Sequence, residues 1–138
     1  MAYGPPPSPG PAWQQPPHQP PRPAAPPPGP ITVDDRNWAL MAYIGQFVLA
    51  GIAPAIVYLG KARHPFVRRH AAQALNMGIA SAAVWTFALL VSLVFDQILV
   101  LPMIFTGATF FALVWAGRSA NRGEFREVPI VLAWPLVK

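Results

Sequence analysis

Arg69, Gln73 and Asn76 stand at i, i+4 and i+7, a spacing that puts a guanidinium and two amides on one face of a helix. Among apolar neighbours such a stripe has two uses. It lines a polar cavity or substrate path, with Gln46 from an earlier apolar run as a partner, or it supplies interhelical hydrogen bonds that fix a bundle. The second reading is preferred, because only Gln73 and Asn76 fall inside an apolar run and neither titrates. His64 and His70 are types that ligate metals or sense pH. Six residues apart they do not share a helical face, and no third ligand stands nearby, so hydrogen bonding to loop backbone or lipid headgroups is expected instead. Asp96 is read as a turn residue, since a proton relay would need a second titratable group within the apolar runs, and none is there. Glu124 and Glu127 lie in a basic segment and balance Arg122 and Arg126. The chain has no cysteine, which excludes disulfides and thiolate chemistry. It has no Gly-rich phosphate loop, no His-Glu-x-x-His and no Gly-x-Ser-x-Gly. No enzyme and no cofactor are expected.

The elements that must carry these residues follow from composition. Of 138 residues, 54% are hydrophobic and only 11% charged, against about 25% charged in ordinary soluble domains. Residues 1–31 form a Pro-rich segment; positions 1–30 hold 14 of the 19 prolines, and a segment in which proline removes nearly half of the amide donors and that has little apolar side-chain area is expected to be disordered. It contains Pro17-His-Gln-Pro20-Pro21-Arg22, a form that some SH3 domains read but that composition alone produces here. Residues 32–138 are a membrane domain. Three charge-free runs lie within it: Asn37 to Gly60 (24 residues), Ala71 to Phe95 (25) and Gln97 to Gly117 (21). About 20 helical residues cross a bilayer core, and backbone in lipid must bond within its own segment. The expectation is an all-α integral membrane bundle of three transmembrane helices (about 37–60, 71–95 and 97–117), with a short interfacial segment at 128–137 that places Trp134 near the headgroups.

Charge gives the orientation. Lys61, Arg63, Arg68 and Arg69 crowd one short loop, the next loop carries only Asp96, and basic residues return after the third run. Lys and Arg in short loops stay on the cytoplasmic side. Loop 61–70 and the C-terminus are therefore expected in the cytoplasm of a multi-pass protein of the cell membrane. The net charge of +5 serves this placement and contact with the lipid bilayer rather than nucleic acid.

The first run is the ambiguous one. Gly51 and Pro54 interrupt it, so it is either a kinked span or a hairpin that enters and leaves on one side; the kinked span is preferred. Thr32 reads as an N-cap with Asp34 and Asp35 in the first turn. The second helix is expected to begin near Pro65 or Phe66, Pro102 falls in the first two turns of the third, and Asn121 and Gly123 read as its stop. Small residues recur every four positions as Ala74, Gly78 and Ala82, and again as Ala108, Ala112 and Ala116; these stripes are the candidate helix-packing faces.

The stretch Pro65-Phe-Val-Arg-Arg-His-Ala-Ala-Gln-Ala-Leu-Asn76 resembles the signature of a bacterial membrane family known as domain of unknown function 4870. That family is grouped with the chloroplast inner-envelope import component of Tic-twenty type. Asp35-Arg-Asn-Trp38 and Asn121-Arg-Gly-Glu124-Phe fit the same pattern. The resemblance implies a small helical membrane protein with no established activity. Its expected role is non-enzymatic, through packing with a second copy or a membrane-protein partner. The alternative is a subunit of a protein-translocation or other pore-type complex.

Overall fold

A computed structural model of the chain describes residues 29–60 and 64–137, together with Gly4. Lys61, Arg63 and nearly all of the Pro-rich segment lie outside the described residues. The described residues are all-α and contain no strand. The helices are α1 (Val33–Leu49), α2 (Ile52–Gly60), α3 (Pro65–Ser92) and α4 (Val100–Asn121), with a 3-10 turn at Asp96–Leu99 before α4.

Each boundary has a local cause. Thr32 caps α1 through a reciprocal pair: its hydroxyl accepts from Asp35 N at 3.1 Å, and Asp35 Oδ2 accepts from Thr32 N at 2.9 Å. His64 caps α3, its Nδ1 accepting from Phe66 N at 3.2 Å, and Pro65 follows at the first helical position where its missing N–H costs nothing. Pro102 sits in the first turn of α4 for the same reason. After Asn121 the chain turns through Gly123 at φ 77°, a left-handed conformation that favours glycine.

The first apolar run is not one kinked span. It breaks at Ala50, whose φ is 47°, and α2 folds back beside α1. The direction is fixed by what each helix touches on α3. Tyr43 of α1 and Tyr58 of α2 bond to His70 and Arg68, close to the start of α3. The turn between them meets α3 near its middle, where a Cβ on Gly78 would stand 3.0 Å from Gly51 Cα. Thus α1 climbs alongside α3, α2 descends, and the two form a hairpin that reaches about half the height of α3. Gly45 permits the tight pairing, since a Cβ there would lie 2.5 Å from that of Ala53. Pro54 falls in the first turn of α2, where it starts a helix instead of kinking one.

Only α3 and α4 are long and apolar enough, among the described residues, to cross a membrane. At about 1.5 Å per residue they measure roughly 42 and 33 Å. They run antiparallel, and α4 returns to the end where α1 begins: Gly117 approaches Leu40 and Tyr43, and Gly123 approaches the Arg36 guanidinium. After α4 the chain is not helical, and it climbs again against α3. The core, built around Tyr43, Val57, Val67, Met77, Leu113 and Ala116, therefore lies entirely in the half of the molecule that holds the hairpin and the helix ends.

Candidate functional site

The polar side chains that the bundle buries all sit on the inner half of α3 and the helices facing it. Gln73 is 8% exposed and Asn76 5%. Gln73 Nε2 donates to Tyr43 Oη and to Arg126 O, each at 3.1 Å, and its Oε1 accepts from Val128 N at 3.3 Å. Asn76 Nδ2 donates to Val137 O and its Oδ1 accepts from Val137 N, both at 2.9 Å. Two amides one helical turn apart thus hold the backbone of the C-terminal segment at both of its ends. A segment with Pro129 and Pro135 cannot build a ladder of its own; the side chains of α3 supply the partners its backbone needs away from water. Arg69, the third member of the stripe, is exposed.

Gln46 plays a similar part within the hairpin. In the amide orientation that gives both atoms a partner, it donates to Ala74 O at 2.7 Å and accepts from Gly78 N at 3.1 Å. The small residues of α3 are what let it approach. Ala74 is buried, Gly78 packs on the hairpin turn and Ala82 is exposed beside it. On α4, Ala112 and Ala116 are buried in the core while Ala108 is exposed; the buried line of α4 runs through Thr109, Leu113, Gly117 and Ala120 as well.

His70 is fully buried. Tyr43 Oη lies 2.9 Å from its Nδ1. The same phenol oxygen accepts from Gln73 Nε2, which joins phenol, imidazole and amide in one buried cluster. The rings of Tyr43, Phe66 and Phe125 stand edge-on around the imidazole, with centroids 5.6, 4.5 and 5.1 Å away. His64 is spent on capping, its other nitrogen lying 3.0 Å from Gly29 O. The two histidines are thus in different surroundings, and the described residues bring together no group of three or more His, Asp or Glu side chains that could hold a metal ion.

The basic residues ring one end. Arg68 donates to Tyr58 Oη at 3.1 Å and lies over its ring. Arg126 lies over Trp115, and Arg122 pairs with Glu124 at 3.6 Å. The opposite end, where α3 meets α4, is apolar: Phe87, Leu90, Val94, Leu101, Ile104 and Phe111 are all more than half exposed. The Tyr43–His70–Gln73 cluster is not legible in the sequence, because Tyr43 stands 27 and 30 residues from its two partners.

What this geometry defines is a small helical membrane protein with two apolar helices of spanning length, a half-height hairpin, and three buried amides, Gln46, Gln73 and Asn76, bonded to its own backbone. The chain belongs to the magnetosome magnetite crystal formation protein family of the MamF/MmsF type, whose model matches residues 34–137. That match corrects the resemblance of the Pro65–Asn76 stretch to domain of unknown function 4870 and to the chloroplast import component. Comparison with curated proteins and with solved structures gives no match.

Proposed function

We propose that the chain is a non-enzymatic membrane protein that acts by packing with a second copy or a membrane partner, and that it serves magnetite crystal formation as its family's description says. The observation that carries the first part is the division of labour between the two halves of α3. In the inner half the amides of Gln46, Gln73 and Asn76 are bonded to the protein's own backbone, so the stripe itself is used in holding the fold. In the outer half α3 and α4 stand alone with large apolar side chains on their surfaces, the kind of face that lipid or another helix covers. A translocation role has no feature of this chain to support it.

The orientation follows the basic end. Arg68, Arg69, Arg118, Arg122 and Arg126 are exposed at the end shared by the hairpin, the start of α3 and the C-terminal segment, and this end faces the cytoplasm. Asp96 and the α3–α4 connection then face the lumen or the outside.

Two experiments test this. Single cysteines at Leu90 and Ile104 in membranes are expected to cross-link to a second copy or a partner, and cysteines at Arg69 and Glu127 are not; equal cross-linking at both ends would overturn the packing face. For the mineral role, the chain is expressed in a magnetite-forming bacterium that lacks its own family member. Restored crystal size is expected. Unchanged crystals, with the protein present in the membrane, would remove that role and leave the packing reading standing.

A further inference from the structure

A groove of about 270 Å³ runs between α1 and α4 on the surface of the inner half. Its walls are apolar, formed by Leu40, Ile44, Phe47, Leu113 and Val114, and its mouth at the basic end carries Arg118 and Asn121. Gly117 forms part of its floor: a side chain there would meet Leu40 Cδ1 at 3.4 Å. At Phe47 and Leu113 the groove adjoins a second cavity of about 350 Å³, which continues along α4 past Thr109 to the hydrogen-bonded pair Trp85 and Thr106. From Asn121 to Thr106 the two together follow about 22 Å of helix at 1.5 Å per residue. That exceeds the roughly 15 Å half-thickness of a hydrocarbon core, so a chain entering at the basic end stays in contact with protein to its tip.

The mouth selects the occupant. Arg122 is paired with Glu124, Arg68 with Tyr58, and Arg126 lies on Trp115. Arg118 is exposed, has no ion pair among the described residues, and is the guanidinium at the groove. A guanidinium offers a fork of N–H donors that matches a phosphate, and the amide of Asn121 adds a further donor beside it. A polar anionic head with an apolar tail is what this combination recognises. The geometry points to a binding site for one anionic phospholipid, its phosphate at Arg118 and Asn121 and one acyl chain along the α1–α4 groove. The site rests on the protein's residing in a bilayer but not on the partner or mineral role proposed above.

The test uses the full chain purified in mild detergent, with native mass spectrometry against phosphatidylglycerol and phosphatidylcholine of equal chain length. One phosphatidylglycerol is expected to be retained in preference to phosphatidylcholine. Arg118→Gln is expected to reduce that preference about fivefold, on the scale of one basic residue at an anionic surface. Arg122→Gln, at a residue already paired, is expected to change it by less than about twofold. Val114→Trp fills the groove from an exposed position and should weaken both lipids alike; circular dichroism confirms that the variant is folded. Equal effects of Arg118→Gln and Arg122→Gln, or unchanged retention in Val114→Trp, would overturn the site. So would a stable dimer in the parent that Val114→Trp dissociates, since a second copy would then occupy the groove. Failure to fractionate with membranes in the cell would instead strike the membrane reading itself.

Discussion

Asn76 gives both hydrogen-bonding groups of Val137 a partner and uses both atoms of its own amide to do so. Leucine is nearly its shape but offers nothing to either group. Asn76→Leu is expected to destabilise the protein by about 2 kcal/mol, the scale for leaving part-buried backbone groups unpaired, and to raise hydrogen exchange at Val137 first. Unchanged stability in denaturant titrations of the detergent-solubilised protein would mean the segment is held by its apolar contacts alone. Thr32 offers a second test at this scale. Its hydroxyl, and then its backbone N–H, hold the Asp35 carboxyl below the usual carboxylate range. A folded-state pKa below the unfolded one means stability that is present above about pH 4 and is lost as pH falls through the lowered value. Thr32→Ala should cost about 1 kcal/mol near neutrality, and the gap from the parent should narrow in acid; a gap constant down to pH 3 would assign the effect to helix propensity alone.

The elements themselves were legible to different depths. Caps, proline positions and the stop of α4 at Asn121 are local chemistry, and Thr32, Pro65 and Pro102 sit where their types require. The hairpin was visible only as an alternative. Gly51 and Pro54 mark a break in any reading, but whether the two halves continue or fold back depends on how closely Gly45 can approach Ala53 and Gly51 can approach Gly78. Those approaches join residues whose types carry no pairing signal. Two substitutions test the break. Ala50 holds φ 47° and ψ −136°, a conformation that costs a residue with a Cβ about 1–3 kcal/mol. Ala50→Gly is therefore expected to stabilise by about 1 kcal/mol after glycine's greater loss of chain entropy. Gly45→Ala places a methyl 2.5 Å from another methyl that cannot turn aside, and should cost about 1–3 kcal/mol despite alanine's better helix propensity. If Ala50→Gly destabilises and Gly45→Ala does not, α1 and α2 do not pair as a hairpin.

At the scale of the whole molecule, the hydrophobic runs gave α3 and α4, and the basic residues gave one end of the bundle. The C-terminal segment reads as an interfacial stretch from its proline content and ten-residue length, but how it is anchored was not legible: Val128 is 8% exposed and Val137 is held by Asn76, about 16 Å along α3 from Pro65 at 1.5 Å per residue. The signal was present in Gln73 and Asn76, but an amide does not announce whether its partner is another side chain or a backbone 53 to 61 residues away. The resulting asymmetry makes a topological prediction. With the hairpin returning to its own side, the chain before α1, the start of α3 and the end of α4 lie at one end of the bundle, and the α3–α4 connection lies at the other. The chain has no cysteine, so single introduced thiols report cleanly. In intact cells treated with a membrane-impermeant thiol reagent, Val94→Cys is expected to label, while Ile31→Cys and Glu127→Cys label only after permeabilisation. Labelling of Ile31→Cys together with Val94→Cys would mean that the first run crosses and that three spans exist. Labelling of Ile31→Cys and Glu127→Cys without Val94→Cys would keep the two-span fold and invert it, placing the basic end outside against the charge rule.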